Sequence, residues 1–142
     1  MKIVSVNITN PDVLQLFSLH DDYMIDFLGD DKQYYTRYSE SENIEMCWIA
    51  YTGDFPIGCI AYRKKSGGVG EVTRLFIRSE YRGHGISKKL LDAVEGYAKE
   101  HGCHTLFLDT RSTLEPAVSI YRNFGFSIVF QQGLYIQMEK QL

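Results

Sequence analysis

Cysteine is scarce: three residues in 142, with no CxxC pair. That pattern argues against a structural zinc site and against a disulfide framework, and no metal is expected. Cys47 and Cys59 fall in apolar, strand-like runs, where a thiol behaves as a small buried hydrophobe. No apolar run approaches the ~18 residues that span a bilayer. Met1 to Val6 alternates in polarity and lacks the apolar block of a secretory signal. The expectation is a cytoplasmic protein with no membrane partner. Basic residues are not in excess, the net charge being −3, and no basic stripe marks a nucleic-acid partner. There is no internal repeat, linker or low-complexity segment, so one domain over residues 1–142 is expected, large enough to bury a core.

The charge that is present is uneven. Residues 1–50 carry three Lys/Arg against nine acids, and residues 51–142 carry twelve against nine. A basic half suits an anionic cofactor and an acidic half a cationic substrate.

Local patterns predict the elements. Residues 2–9 read as a strand. Asn10-Pro11-Asp12 opens a helix, with Asn10 as N-cap and Pro11 at the first helical position, running to Gly29. Residues 31–40 read as a short polar helix or loop. Ile44–Tyr51, Pro56–Arg63 and Val69–Arg78 are separated by Thr52-Gly53-Asp54 and Ser66-Gly67-Gly68, which predicts an antiparallel meander. The pattern then becomes helical over Gly85–Glu100, strand-like over His104–Asp109, and helical over Glu115–Phe124. Phe126–Phe130 and Leu134–Glu139 close the chain as strands. The strand–helix–strand unit around residues 70–109 should be parallel and right-handed.

Arg82-Gly83-His84-Gly85-Ile86-Ser87 stands between a strand and a helix. Glycines allow close approach to the backbone, and a helix start offers unpaired N–H groups and the positive end of a dipole, a setting for phosphate. A dinucleotide-binding reading is disfavoured. The turn follows a meander rather than the first strand of a βαβ unit, and no acidic ribose partner is evident.

The run Leu75 to Ser87 resembles the cofactor motif of the GNAT superfamily of N-acetyltransferases, Arg/Gln-x-x-Gly-x-Gly/Ala, with Arg82, Gly85 and Ser87 in the three positions. Ser87 departs from the usual Gly or Ala but is small. A second signature, Ala117-x-x-x-Tyr121-x-x-x-Gly125-Phe126, follows where that superfamily has it, and the order of elements matches. The resemblance implies an α+β fold: a central mixed, mostly antiparallel sheet flanked by helices, its strands splayed at the cofactor site. It also implies acetyl-CoA as co-substrate. The pyrophosphate would meet residues 82 to 88, namely Arg82, Gly83, His84, Gly85, Ile86, Ser87 and Lys88. The pantetheine arm would pair with the strand end Leu75-Phe76-Ile77, where a backbone N–H polarises the thioester carbonyl.

For catalysis the resemblance points to Tyr121 as general acid toward the leaving thiolate. Glu71 matches the catalytic glutamate of the histone-acetyltransferase branch. With Thr73, Leu75 and Ile77 it should share one strand face by period two. Other branches use a water chain, so the base stays open between the two. Asp21, Asp22 and Asp26, with Tyr23, lie where that superfamily builds one wall of its acceptor site. Leu114 replaces an asparagine that some members use on the cofactor.

The leading expectation is direct transfer of an acetyl group to a primary amine through a tetrahedral intermediate, the acceptor being a small amine or a protein amine. No cysteine is evidently placed as a covalent nucleophile. The alternative is a catalytically silent CoA-binding regulatory or assembly module. Dimers are common in families of this kind, so the resemblance is compatible with a homodimer.

Overall fold

The computed structural model describes residues 1–28 and 43–142; the polar stretch anticipated over residues 31–40 lies outside them. Strand β1 spans Lys2–Val6. It stops short of residue 9 because the Asn7 side chain accepts the Thr9 N–H at 2.9 Å and turns the chain. Helix α1 spans Pro11–Leu28. Its start is as expected: Asn10 Oδ1 accepts the N–H groups of Asp12 (2.8 Å) and Val13 (3.3 Å), satisfying two donors that the first turn leaves open.

The meander follows as β2 (Ile44–Thr52), β3 (Phe55–Lys64) and β4 (Val69–Ile77). After a short 3₁₀ turn at Ser79–Tyr81 come α2 (Ile86–Glu100), β5 (Thr105–Arg111), α3 (Glu115–Phe124), β6 (Ser127–Gln132) and β7 (Tyr135–Gln141). The seven strands form one sheet in the order β1-β2-β3-β4-β5-β7-β6. Only the β4–β5 pair is parallel, as a strand–helix–strand crossover requires.

Helix α1 covers one face. Val13, Leu16 and Phe17 pack on Cys47, Ile49, Cys59, Ala61 and Phe76. Helices α2 and α3 cover the other. Ile86, Leu90, Leu91, Val94, Ala98 and Tyr121 join Trp48, Ile60, Tyr62, Val72, Ile77 and Leu106 there. Burial of such a side chain stabilises by roughly 1.5–3 kcal/mol, so α2, with five buried residues, is anchored by packing more than by propensity.

Two irregularities in β4 shape the site. Gly58 pairs with Ile77, Cys59 with Phe76, and Ala61 with Thr73, so one extra residue is inserted opposite Ile60. Arg74 absorbs it at φ +60°. The alternation is therefore reset. Glu71 and Thr73 lie on the α1 face together with Phe76, whereas Leu75 and Ile77 turn to the α2/α3 face. The expected single face shared by Glu71, Thr73, Leu75 and Ile77 does not exist. The second irregularity is that β4 pairs with β5 only over Val69–Glu71 and Thr105–Phe107. Beyond that point β5 continues against β7 as far as Arg111, and the sheet opens.

Candidate active site

A cavity of about 580 Å³ occupies the opening. Leu75, Phe76 and Ile77 of β4 form one side, and Leu114, Ala117, Ile120, Tyr121 and Phe124 of the α3 segment form the opposite side. The loop from Tyr81 to Ile86 and the first turns of α2 (Ser87, Lys88, Leu91) close one end. His20, Tyr23 and Met24 of α1 close the other. Because α1 packs on the opposite face of the sheet from α2 and α3, the cavity passes through the sheet at its gap. This accounts for α3. Ala117, Ile120, Tyr121 and Phe124 form one apolar stripe, yet only Tyr121 on that helix is buried, since the others border open space.

The loop is held by two left-handed glycines, Gly83 at φ +84° and Gly85 at φ +77°. A Cβ at either would meet no atom within 4 Å, so backbone conformation rather than crowding selects glycine there. Among the described residues, the N–H groups of Gly83 to Lys88 bond no carbonyl. They gather at the positive end of the α2 dipole. Lys88 lines the cavity and reaches Asp92 at 3.1 Å. His84 is exposed and lies outside the cavity lining.

Arg82 behaves differently from the rest of the loop. Its backbone N–H donates to Ser79 O at 3.4 Å, closing the 3₁₀ turn. Its Nε–H donates to Ile77 O at 2.9 Å. The guanidinium lies 4.9 Å from the Tyr23 ring centroid and 5.8 Å from that of Phe76. Both rings belong to the α1 face, so the side chain crosses the end of β4 and leaves the loop's free N–H groups behind.

Tyr121 is 5% exposed, lines the cavity and meets Phe126 edge-on at 5.9 Å. Gly125, at φ +109°, ends α3 and lets Phe126 fold back under it. Glu71 is not brought to the cavity. Its carboxylate is buried on the α1 face of β4, paired with Arg63 at 3.2 Å and Lys65 at 3.1 Å. Of the acidic residues on α1, Asp21 is bonded to the buried Arg74, and neither Asp22 nor Asp26 lines the cavity. No Asp or Glu appears among its described lining residues. Cys47 and Cys59 are buried outside it; burial pushes the Cys47 thiol up to about 12 and raises Cys59 as well.

Sequence reasoning missed His20. It is 3% exposed, borders the cavity and stands 5.6 Å from the Phe76 ring. Burial, reinforced by the positive charges of Arg74 and Arg82, lowers its pKa to about 3, so the imidazole is neutral at physiological pH. A lone histidine on an amphipathic helix gives no sequence signal of such a position. Met24 and Asn123 were missed for the same reason, each being one ordinary residue on a helix.

A family model described as the acetyltransferase (GNAT) family matches residues 13–126. Over 103 residues the chain is 33% identical to N-alpha-acetyltransferase 30 of Saccharomyces cerevisiae, covering 66% of this chain and 58% of that protein. Over 56 residues it is 46% identical to an N-acetyltransferase of Dictyostelium discoideum named as uncharacterized, covering 39% of this chain and 26% of the relative. The chain thus spans between 26% and 58% of the length of these two curated relatives. The PaiA N-acetyltransferase of Thermoplasma acidophilum, solved in complex with coenzyme A, shares the fold with a TM-score of 0.79 at 20% identity, each chain being fully covered. A match that takes in α1, the meander, the glycine loop and α3, on a sheet split at β4, establishes that this chain belongs to the acetyltransferase (GNAT) family.

Proposed function

We propose that this chain is an acetyl-CoA-dependent N-acetyltransferase that transfers an acetyl group to a primary amine by direct attack on the thioester. The observation that carries the reading is the cavity through the sheet gap, with free backbone N–H groups at one end and Tyr121 in its apolar wall. These features suit the donor. An anionic pyrophosphate fits the N–H groups of Gly83 to Lys88, and an elongated, weakly polar arm fits a channel lined by Leu75, Ile77, Leu114 and Ile120. Bound there, acetyl-CoA supplies the activated acyl group.

The chain's residues then do three things. Backbone at the end of β4, unpaired with β5, orients the donor's amide groups and polarises the thioester carbonyl. Walls of leucine, isoleucine and phenylalanine exclude bulk water, which strengthens those dipoles. The neutral amine adds to the thioester carbon; as the tetrahedral adduct collapses and the C–S bond breaks, Tyr121 gives its hydroxyl proton to the departing sulfur and regains one, through water, from the new amide nitrogen. The ammonium proton of the acceptor leaves through water. This is favoured over Glu71, whose carboxylate is held by two cations away from the cavity. Acetyl transfer through an enzyme cysteine has no support, as Cys47 and Cys59 are buried away from the cavity and held as thiols.

The test is release of free thiol from acetyl-CoA across a panel of protein N-terminal peptides, amino acids, polyamines and aminoglycosides. Amine-dependent release with the acetylated product seen by mass spectrometry is expected. Calorimetric binding of acetyl-CoA with no amine turned over would instead favour a silent CoA-binding module.

A further inference from the structure

Resting on that reading, the geometry of Arg82 bears on the acceptor. The free N–H groups of the glycine loop open at the start of α2. The Arg82 side chain leaves the loop in the other direction. Nε is engaged by Ile77 O, which lays the guanidinium across the end of β4. It lies over the Tyr23 and Phe76 rings, on the α1 side of the sheet. With its backbone N–H given to Ser79 as well, the groups left to Arg82 are the terminal guanidinium nitrogens; Arg82 lines the cavity, and its guanidinium lies beside Tyr23 of α1.

We propose that Arg82 selects the acceptor: its guanidinium receives a carboxylate carried close to the amine, so the favoured acceptors are amino-acid-like. Three observations support this. Among the described residues Arg82 makes no ion pair. On α1, the Asp21 carboxylate is committed to Arg74. His20, at the same end, is neutral and adds no competing charge. A planar guanidinium fork, placed over two rings and pinned at Nε, is pre-organised for a carboxylate. A polyamine would instead place like charges together with no lining carboxylate among the described residues to offset them. The acidic half of the sequence, read alone, suggested the opposite preference.

The test compares L-methionine with L-methioninamide, and L-phenylalanine with L-phenylalaninamide, in the wild type, Arg82→Gln and Arg82→Lys. The amides have the less basic, more readily deprotonated amines, so amine reactivity alone favours them at neutral pH. The expected result is kcat/KM at least about tenfold higher for the acids in the wild type, the scale of one charge-assisted pair. That ratio falls to one or below in Arg82→Gln and is intermediate in Arg82→Lys, with the acetyl-CoA KM changed less than about threefold. Turnover by the wild type without preference for the acids overturns the inference and leaves the proposed function standing. So does a loss in Arg82→Gln confined to the acetyl-CoA KM. No turnover of any amine overturns both. If Arg82→Gln does not fold, the wild-type ratio and Arg82→Lys decide the matter.

Discussion

Gly58 of β3 lies opposite Ile77, where the sheet begins to open. A Cβ added to Gly58 would stand 2.6 Å from Ile77 Cδ1 and 3.0 Å from the carbonyl oxygen of Phe76. Attractive carbon contacts lie near 3.5–4.0 Å, so Gly58→Ala forces a shift. The Ile77 side chain can leave its rotamer at a cost of about 0.5–1.5 kcal/mol. The Phe76 carbonyl moves only with the strand, and overpacking of this kind costs about 1–3 kcal/mol in all. For a chain of this size each kcal/mol lowers Tm by about 4 °C, so a fall of about 4–12 °C is expected by thermal unfolding. Ile77 also lines the cavity, so the acetyl-CoA KM should rise with little change in the pH profile. Ile77→Val deletes the clashing Cδ1. In that background Gly58→Ala should cost about 1 kcal/mol less, a coupling expected of residues in contact. Gly53→Ala is the control, since nothing lies within 4 Å and only its φ of +57° is strained. An unchanged Tm for Gly58→Ala, or an equal cost with and without Ile77→Val, would refute the steric argument.

Four further outcomes are expected. Tyr121→Phe lowers kcat by about 10² or more, the range for loss of a general acid; equal kcat at saturating acetyl-CoA would remove Tyr121 from that role. Glu71→Gln costs on the order of 1–3 kcal/mol by denaturant unfolding, because Arg63 loses a buried counter-charge. A displaced acidic limb in its kcat–pH profile would instead restore Glu71 as the base. His20, depressed to about 3 in the folded state, binds a proton more readily when unfolded, so its contribution is complete above pH 6.5. That contribution is lost as pH falls toward 3, by at most about 1.4 kcal/mol per pH unit; His20→Gln should flatten this slope, and an unaltered slope would contradict the neutral assignment. Cys47 and Cys59, both buried with raised pKa, should resist iodoacetamide in the native protein and react once it is unfolded, as mass spectrometry would show.

Much of this architecture is legible in the residue pattern, because period and punctuation are local. Asn10, the glycines after β3 and α2, and Gly125 each mark an element end that the structure retains. What is not legible depends on contacts distant in sequence or on a residue that gives no warning. Arg74 takes a left-handed conformation that usually asks for glycine or asparagine, and it is held there by Asp21 and by the Phe17 ring at 4.8 Å. Nothing in Thr-Arg-Leu announces a bulge, so the period-two reading carried Glu71 onto the wrong face. Arg82 was found by its motif position. The direction of its side chain is decided by Tyr23, almost sixty residues earlier, and by a carbonyl on β4.

The short parallel pairing between β4 and β5 also has a mechanical meaning. Three residue pairs join two parts of the sheet, one built from β1 to β4 with α1 and the other from β5 to β7 with α3, and the core beneath α2 is shared by both. The parts resemble the jaws of a clothes peg, joined at one end and free at the other. A molecule seated between the jaws touches both. Pulled apart at the open end, the empty chain would yield by peeling three rungs in sequence, and the loaded chain would have to shed its passenger first.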